Sequence, residues 1–436
     1  MDPTLVGIVG TFILVALLLS GVHVGVALGV VGMAGFAFLT NWTAGLGLLR
    51  TTPYSVTSHF TFFAIPVFIL MGQFANYGGL SEDIYSVVHK WLGRIRGGLA
   101  MATTASCAVF AAACGSSIAT AATFTQVALP EMLKYGYDRR LAAGAIAASG
   151  TLGALIPPSG LMIIYGIITE QSIGKLLMAG FIPGIVSALI YIGMISVWMA
   201  IKPHMAPVVS VTVPWKEKFL SLHRVWGIAV LALVVMGSIY TGAATPTEAG
   251  AFGAFGAFLL MIFKGKFSRK RLGESLFETA SSTTMLFTII IGAFVFSRFL
   301  AITYIGPQLA DFLLSSGLSR YLVLAGFLLL YVFLGMFMDP AAMMAITLPI
   351  VFPIVEEMGF SGIWFGVLVI KTCEIGNITP PVGLNVYTVH ASAKGKVRLE
   401  EVFQGILPFF VMDVLTLALL VAFPQISLWL PDTMLG

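Results

Sequence analysis

The chain has 436 residues, of which 58% are hydrophobic and only 10% are charged, and its mean hydropathy is +0.99. Ordinary soluble domains have about a quarter charged residues, so the composition excludes a soluble globular fold. The net charge of +4 does not indicate a nucleic-acid-binding protein, because the basic residues lie in short segments between apolar stretches. We therefore predict an all-α polytopic membrane protein that is embedded in the lipid bilayer.

Apolar stretches predict about ten membrane-spanning elements along the chain. The apolar block 5–39 lacks the basic start and the small-residue cleavage site of a signal peptide, so we interpret it as retained membrane helix. The ten predicted elements are 5–20, 22–39, 60–76, 139–169, 176–200, 225–241, 248–263, 280–300, 361–393 and 402–430.

The basic residues predict how these elements are oriented. Most of the 23 lysine and arginine residues lie in five short segments, 90–96, 134–140, 202–224, 264–271 and 394–398. Cytoplasmic loops of membrane proteins are enriched in these residues, so we predict that the five segments face the cytoplasm. Both chain ends are then expected on the outer side.

Two further apolar stretches, 98–133 and 321–355, are each long enough for two legs of about 25 Å and must return to the side where they start. Their turns, at 113–120 and 335–340, contain no polar loop. Turns of this kind suit backbone that is buried in protein at membrane depth, so we predict re-entrant hairpins that enter from opposite faces. Two full spans with a tight turn would have the same charge pattern, and this alternative stays open.

An internal repeat relates the two halves of the chain. A shift of 223 residues aligns the Pro-Pro pair at 157–158 with that at 380–381, and it places Ser116 opposite Asp339. The first copy is predicted to begin outside and the second inside, which makes the copies inverted repeats, an arrangement typical of secondary transporters. The predicted units are a first repeat 1–200, a cytoplasmic linker 201–224 and a second repeat 225–436.

In both copies a predicted helix is interrupted near the middle of the membrane by the Pro-Pro pair. Two consecutive prolines remove two amide donors and end a helix. The carbonyl groups of the preceding turn lose their partners, and a desolvated cation can take their place. Gly150, Gly153 and Gly376 would allow a close backbone approach. The alternative is a purely structural proline kink.

The hairpin tips carry residues that cap helices. Ser116 and Ser117 begin the second leg of one hairpin, and Asp339 followed by Pro340 begins that of the other. Both legs would direct a helix N-terminus inward, where free amides and the helix dipole favour a carboxylate. Asp339 would repel an anion unless it is paired or binds a cation. Simple capping is the alternative reading of both tips.

Arg298 lies at the end of the apolar run 287–299, where a buried arginine costs about 2.5–3.5 kcal/mol. Three partners are considered: Asp339, a substrate carboxylate, or lipid phosphates that the side chain reaches by snorkelling. Lys371 and Glu374, three residues apart on one predicted helix, are predicted to neutralise each other.

These motifs resemble, over essentially the whole chain, the large membrane subunit of the tripartite ATP-independent periplasmic (TRAP) transporters, in the ion transporter superfamily. The motifs are G-S-S-x-A-T at 115–120, G-x-L-I-P-P-S at 153–159, T-P-T-E-A-G at 245–250, L-G-x-x-M-D at 334–339 and I-T-P-P-V-G-x-N at 378–385. The resemblance implies sodium-driven uptake of a small organic anion by an elevator motion in the bacterial inner membrane. It also implies two partners: a small four-helix membrane subunit, expected as a separate polypeptide, and a periplasmic substrate-binding protein. Sodium is the coupling ion, and neither an organic cofactor nor catalytic residues are expected.

The resemblance also assigns site residues by position. One sodium site would use Gly115, Ser116, Ser117, Gly150, Gly153 and Pro157, and the other Gly335, Asp339, Gly376, Thr379 and Pro380. The predicted substrate-binding residues are Arg298, Ser117, Thr120, Ser159, Thr379 and Asn385.

The sequence leaves three alternative functions to compare with this one. A self-sufficient sodium/dicarboxylate symporter of the same superfamily would need no binding protein. A membrane-embedded enzyme would need a nucleophile with a base or a metal cluster, and the sequence contains neither H-E-x-x-H nor a convincing Ser/His pair. A channel is disfavoured by the paired broken helices and by the absence of a repeated charged or carbonyl-ring motif.

Overall fold

The structure is a computed structural model that describes residues 2–207 and 213–434. Residues 208–212, within the predicted linker, lie outside the described residues. The first half contains α1 Pro3–Leu19, α2 Val24–Leu39, α3 Trp42–Ser58, α4 Ala64–Tyr77, α5 Leu80–Leu92, α6 Gly98–Cys114, α7 Ser117–Val127, α8 Leu129–Lys134, α9 Arg139–Leu155, α10 Gly160–Thr169 and α11 Ile173–Ile201. The second half contains α12 Trp215–Ser221, α13 Trp226–Tyr240, α14 Pro246–Phe263, α15 Arg269–Thr303, α16 Ile305–Ser315, α17 Arg320–Gly335, α18 Pro340–Glu357, α19 Gly362–Ile378, α20 Leu384–Ser392, α21 Leu399–Ala422 and α22 Gln425–Asp432. Short 3-10 helices occupy Phe60–Phe63, Pro203–Met205 and Leu222–Arg224.

Helix length and surface composition confirm the predicted all-α polytopic membrane fold. Among the described residues, six helices are long and apolar enough to cross a membrane, or up to eight if each of two bent pairs is one span. Large apolar side chains lie on the outside: Phe12, Leu233 and Phe263 are 71%, 74% and 75% exposed. Such a surface is stable only against lipid or other apolar protein.

The number of spans differs from the ten that the apolar stretches predict. Helices α1 and α2 have only 17 and 16 residues, and the predicted element 361–393 is divided into α19 and α20. The predicted element 402–430 is also divided, because α21 ends before Pro424, which has no amide N–H to continue the helix, and α22 follows.

Several helices escaped prediction because they are not uniformly apolar. Helix α5 has Glu82 and Asp83 in its first turn and His89 and Lys90 in its last, an arrangement that suits the helix dipole but masks the apolar face. Helices α3 and α16 also lie outside the predicted elements, and α15 begins at Arg269, well before the predicted start of its apolar stretch.

The offset that relates the sequence motifs also relates the helices. A shift of 223 residues carries the bounds of α9 onto those of α19, and it carries α2 and α7 onto α14 and the start of α18. The copies differ in how these helices are divided: the 3-10 helix Phe60–Phe63 separates α3 from α4 where the corresponding α15 is continuous, and α7 and α8 correspond to the continuous α18. The orientation of the two copies in the bilayer stays a prediction.

The interrupted helices form the centre of the molecule. Every residue from Leu141 to Leu155 in α9 is buried, and so is every residue from Trp364 to Ile378 in α19. Helices α6, α7 and α21 pack on α9, while α17, α21 and α9 pack on α19. The Pro-Pro pairs therefore follow two buried helix ends, whose last carbonyls are shielded from water; Pro157 and Pro158 are themselves buried, whereas Pro380 and Pro381 are exposed.

A buried ionic network joins three of these helices. The Lys371 ammonium of α19 lies 2.6 Å from the Asp413 carboxylate of α21 and 3.7 Å from that of Glu374. The Tyr191 hydroxyl of α11 donates a hydrogen bond of 2.5 Å to Asp413, and Lys371, Glu374 and Asp413 have no solvent exposure. The predicted Lys371–Glu374 pair is confirmed, but Asp413, 42 residues further along the chain, is the closer partner.

This network predicts a specific stability effect. Asp413→Asn should destabilise the protein by about 3–5 kcal/mol, because it leaves Lys371 buried with only the more distant Glu374. Replacing Lys371 by Met, Glu374 by Gln and Asp413 by Asn together should recover much of the loss, because no buried charge then remains. Thermal unfolding of the detergent-purified protein measures both, with the exposed Glu357→Gln as control. An Asp413→Asn protein as stable as the control would show that the network does not stabilise the fold.

The predicted topology is testable at three exposed positions in a variant without native cysteines. Single cysteines at Ser268 and Lys396 should react with a membrane-impermeant thiol reagent from the cytoplasmic side, and one at Ser316 from the outer side. All three side chains are exposed, so burial does not limit labelling. Labelling of Ser268 and Ser316 from the same side would contradict the inverted arrangement.

Candidate functional site

The tip of the first hairpin lies between α6 and α7. Gly115 ends α6 with a φ of +65°, a left-handed conformation that favours glycine. Ser116 then caps α7, and its hydroxyl accepts a hydrogen bond of 3.3 Å from the Ala119 amide. The predicted cap is therefore confirmed.

The tip of the second hairpin also has the predicted cap, but its capping residue is negatively charged, whereas that of the first tip is neutral. The Asp339 carboxylate accepts hydrogen bonds from the amides of Ala341 at 2.9 Å and Ala342 at 3.4 Å, and Pro340 occupies the first helical position. The negative charge of Asp339 thus compensates the N-terminus of α18, whereas α7 has no acidic residue in its first turn.

The first tip touches the first break. A Cβ atom at Gly153 would lie 2.6 Å from both the Ser116 carbonyl oxygen and the Thr120 hydroxyl, and one at Gly115 would lie 2.3 Å from the Pro158 carbonyl oxygen. The Gly160 amide donates to the Gly115 carbonyl at 3.2 Å. The tip and the break therefore pack backbone against backbone at a distance that only glycine allows, and this packing brings several oxygens close to one another.

The second copy repeats this contact. A Cβ atom at Gly376 would lie 2.6 Å from the Gly335 backbone and 3.0 Å from the Val332 carbonyl oxygen. After the break, the carbonyl oxygens of Asn377 and Thr379 both lie within 3.4 Å of a Cβ placed at Gly383. The Asn377 side chain is buried, and neither its oxygen nor its nitrogen has a hydrogen-bond partner among the described residues.

Both breaks also satisfy part of their own backbone. The Ser159 hydroxyl bonds the Ala154 carbonyl and accepts from the Met162 amide. The Thr379 hydroxyl donates to the Ile375 carbonyl at 2.5 Å. The expectation that the carbonyls before the prolines have no partner is therefore correct only in part, because the Ser159 hydroxyl after the first pair and the Thr379 hydroxyl before the second each donate to one of them.

A cavity of about 380 Å³ lies between the two tips. Its walls come from α4, from the first tip and first break, from α15 and from the second tip. The polar side chains that line it are Gln73, Asn76, Ser116, Ser117, Ser282 and Asp339. No lysine, arginine or histidine is among its described lining residues. The N-termini of α7 and α18 both border this cavity, as the capped tips predicted.

Residues 11–426 match the family model of the DctM component of the tripartite ATP-independent periplasmic transporters. The chain belongs to this family. It is 36% identical over 382 residues to the C4-dicarboxylate TRAP transporter large permease protein DctM of Pseudomonas aeruginosa, covering 87% of this chain and 88% of that protein. It is 32% identical over 421 residues to the sialic acid TRAP transporter permease protein SiaT of Haemophilus influenzae, covering 95% of this chain and 66% of that protein.

A solved structure shares the fold. The YdaH transporter of Alcanivorax borkumensis, whose crystal structure is described as having an unusual topology, aligns with a TM-score of 0.64 and 16% identity over 98% of this chain and 100% of that one. The chain is thus a TRAP permease component with the fold of a polytopic transporter.

Four of the predicted site residues of this permease meet at the cavity: Gly115, Ser116, Ser117 and Asp339. Gly153, Gly335 and Gly376 lie behind it at the contacts between tips and breaks. Gly150 instead faces the methyl group and backbone of Ala121, which is close packing of α9 on α7. Pro157 is buried and Pro380 is exposed.

Most of the predicted substrate-binding side chains are engaged elsewhere. Thr120, Ser159 and Asn385 have no exposure, and none of them lines the cavity. The Thr120 hydroxyl donates to the Ser116 carbonyl at 2.7 Å, and the Asn385 amide donates to the Ala147 carbonyl at 3.3 Å. Ser159 and Thr379 bond their own breaks. Among these predicted residues the structure therefore supports a substrate contact for Ser117 alone.

Arg298 does not reach the cavity. It is exposed on α15 and forms no ion pair with the described acidic residues, so the suggested pairing with Asp339 is absent. Leu286, the last residue of α15 that lines the cavity, lies roughly three turns earlier, about 18 Å along the helix. This separation exceeds the length of an arginine side chain, which leaves contact with lipid or another polypeptide.

Three polar residues of the cavity were not predicted from the sequence: Gln73 and Asn76 of α4 and Ser282 of α15. A signal for the two amides was present: they are uncharged polar residues three positions apart inside a predicted span, and so lie on one helix face. The apolar character of the stretch as a whole hid them.

The position of Arg298 leads to a test. Arg298→Lys should keep uptake within about twofold of wild type, because an exposed cation that contacts no substrate can be replaced by another. Ser117→Ala, in the cavity, should reduce uptake and serves as the comparison. Uptake into proteoliposomes measures both. A loss of more than about tenfold in Arg298→Lys alone would restore the substrate role first predicted for Arg298.

Proposed function

We propose that this permease couples sodium entry to the uptake of a small organic carboxylate across the bacterial inner membrane. A periplasmic substrate-binding protein would deliver the substrate, and a separate small four-helix membrane subunit would complete the system. The family description, a tripartite periplasmic transporter, supports both partners. The names of the two relatives, for C4-dicarboxylates and for sialic acid, support a carboxylate substrate.

The observation that carries the proposal is the cavity between the two helix N-termini. Ser117 and Ile118, the first two residues of α7, both line it, and their amides have no acceptor within the helix. The Ser117 side chain is only 7% exposed, and its hydroxyl makes no hydrogen bond in the described part of the chain. These three donors and the positive end of the helix dipole suit one carboxylate group.

The oxygens behind the cavity suit a small hard cation. Sodium, like other hard cations, prefers oxygen ligands, and carbonyls of interrupted helices supply them in secondary transporters. In the first copy the carbonyls of Ser116 and Pro158 and the Thr120 hydroxyl converge on glycine positions. In the second copy the carbonyls of Asn377 and Thr379 converge, and the Asn377 side chain lacks a partner among the described residues. A side chain at Gly115 or Gly153 would collide with these oxygens, so the glycines are what allows the oxygens to lie close to one another.

The packing supports an elevator motion. Each tip contacts its own break through backbone, so hairpins and interrupted helices form one interlocked unit. A second apolar cluster joins α2 to α15, with Leu28, Phe296 and Phe299 among its members, and it also touches the second hairpin through Ala345. We propose that the interlocked unit moves across the membrane together with its side of the cavity, against the part that includes α2 and α15 and supplies the Ser282 wall.

Adding a methyl group at the glycine contacts between the tips and the breaks tests the proposed sodium sites. Gly153→Ala and Gly376→Ala should each raise the sodium concentration for half-maximal uptake about tenfold, because the new methyl group must push oxygens apart. Gly193→Ala is the control, since nothing lies within 4 Å of its Cβ position.

Proteoliposomes that contain the permease and its small subunit, supplied with the binding protein, give the sodium dependence of uptake. Thermal unfolding identifies any variant that has lost its fold. Unchanged sodium activation in both folded variants would contradict sodium binding at the breaks. Uptake at the full rate without the binding protein would contradict the tripartite mechanism.

A further inference from the structure

One wall of the cavity, formed by α4 beside the first tip, carries two uncharged amides. Gln73 and Asn76 lie three residues apart on α4 and both line the cavity. The Asn76 side-chain oxygen accepts a hydrogen bond of 3.1 Å from the Thr123 hydroxyl of α7, which fixes the amide plane. Its nitrogen, and the whole amide of Gln73, bond to no group among the described residues. Donors and an acceptor are therefore available to a ligand.

The charges around the cavity limit what that ligand can be. Asp339 is the only charged side chain among the described lining residues. Its carboxylate already accepts hydrogen bonds from the Ala341 and Ala342 amides at the start of α18. One helix N-terminus, that of α7, is left for an anionic group. With one sodium ion at each break, two positive charges balance Asp339 and one substrate carboxylate. A second substrate carboxylate would leave an uncompensated charge in a partly buried site, which is costly.

We propose that Gln73 and Asn76 bind the hydroxylated or amide-bearing end of a substrate that carries a single carboxylate, an assignment that rests on the proposed function of this cavity. Hydroxyl groups both donate and accept hydrogen bonds, as the Gln73 amide does, whereas a carboxylate only accepts. The two amides thus select a polar monocarboxylate, such as a sugar acid, over a dicarboxylate. Of the substrate types named for the relatives, sialic acid fits this description and C4-dicarboxylates do not.

Direct binding tests the assignment. The permease with its small subunit, reconstituted in nanodiscs in sodium chloride, is titrated calorimetrically with sialic acid, D-gluconate and succinate. At least one of the two hydroxylated monocarboxylates should bind about tenfold or more tightly than succinate. Gln73→Leu and Asn76→Leu should each weaken that ligand about tenfold, because each removes a hydrogen-bonding group and leaves a substrate hydroxyl unpaired. Gln308→Leu, exposed on α16, is the matched control and should change nothing.

A variant that changes which ligand binds best shows whether Gln73 recognises the substrate or only stabilises the fold. Gln73→Arg should strengthen succinate binding and weaken the hydroxylated ligand, because guanidinium pairs with a second carboxylate. Destabilisation alone would weaken every ligand together.

The outcomes also separate this assignment from the proposed function. Tighter binding of succinate to wild type, or unchanged binding in both Leu variants while Ser117→Ala loses affinity, overturns the role of the amides and keeps the cavity as the substrate site. Unchanged binding in Ser117→Ala as well places the substrate elsewhere and contradicts the proposed function. Failure of all three probes to bind wild type contradicts the assignment.

Discussion

The structure depends on one constraint: a backbone amide or carbonyl inside apolar surroundings must have a partner. Each Pro-Pro pair ends a buried helix and so creates such groups where little water can reach them. The hydroxyls of Ser159, after the first pair, and Thr379, before the second, satisfy one carbonyl each. The remaining oxygens are gathered by glycine contacts with the hairpin tips. The site is thus the place where the fold leaves its backbone incompletely satisfied, which is the observation behind the proposed cation sites.

The same constraint explains where charged side chains lie in the protein. Deep in the molecule, Lys371 is held by two carboxylates and a tyrosine hydroxyl, whereas the cavity contains Asp339 but no described basic side chain. Helix N-termini, amides and hydroxyls are weaker than an arginine for binding an anion, yet they release it without breaking a strong ion pair. A carrier must release its substrate in every cycle, so neutral donors together with a dissociable cation suit transport better than a permanent positive charge.

Local chemistry explains what the sequence could predict. Proline pairs, glycines and capping residues act on their own segment, so the breaks, both hairpins and the caps at Ser116 and Asp339 were predictable before the fold was known. Partners across the fold were not. Asp413 lies 42 residues from Lys371, and Asn76 meets Thr123 only because α4 packs beside the first tip. Arg298 was assigned to the substrate because an arginine in an apolar stretch is unusual. Its distance from the cavity along α15 could be measured only in the structure.

The two copies have the same arrangement of helices but different capping residues at their hairpin tips. Their interrupted helices coincide under one shift, yet Ser116 caps one tip and Asp339 the other. The serine leaves the dipole of α7 uncompensated and therefore open to an anion, whereas the aspartate compensates that of α18 and adds an oxygen suited to a cation. A single difference in capping chemistry thus separates an anion-binding end from a cation-binding end across one cavity. In the proposed mechanism both ends belong to one moving unit and each binds its own ion, so the opposite charges would lower the net charge that crosses the bilayer and give a physical basis for coupling.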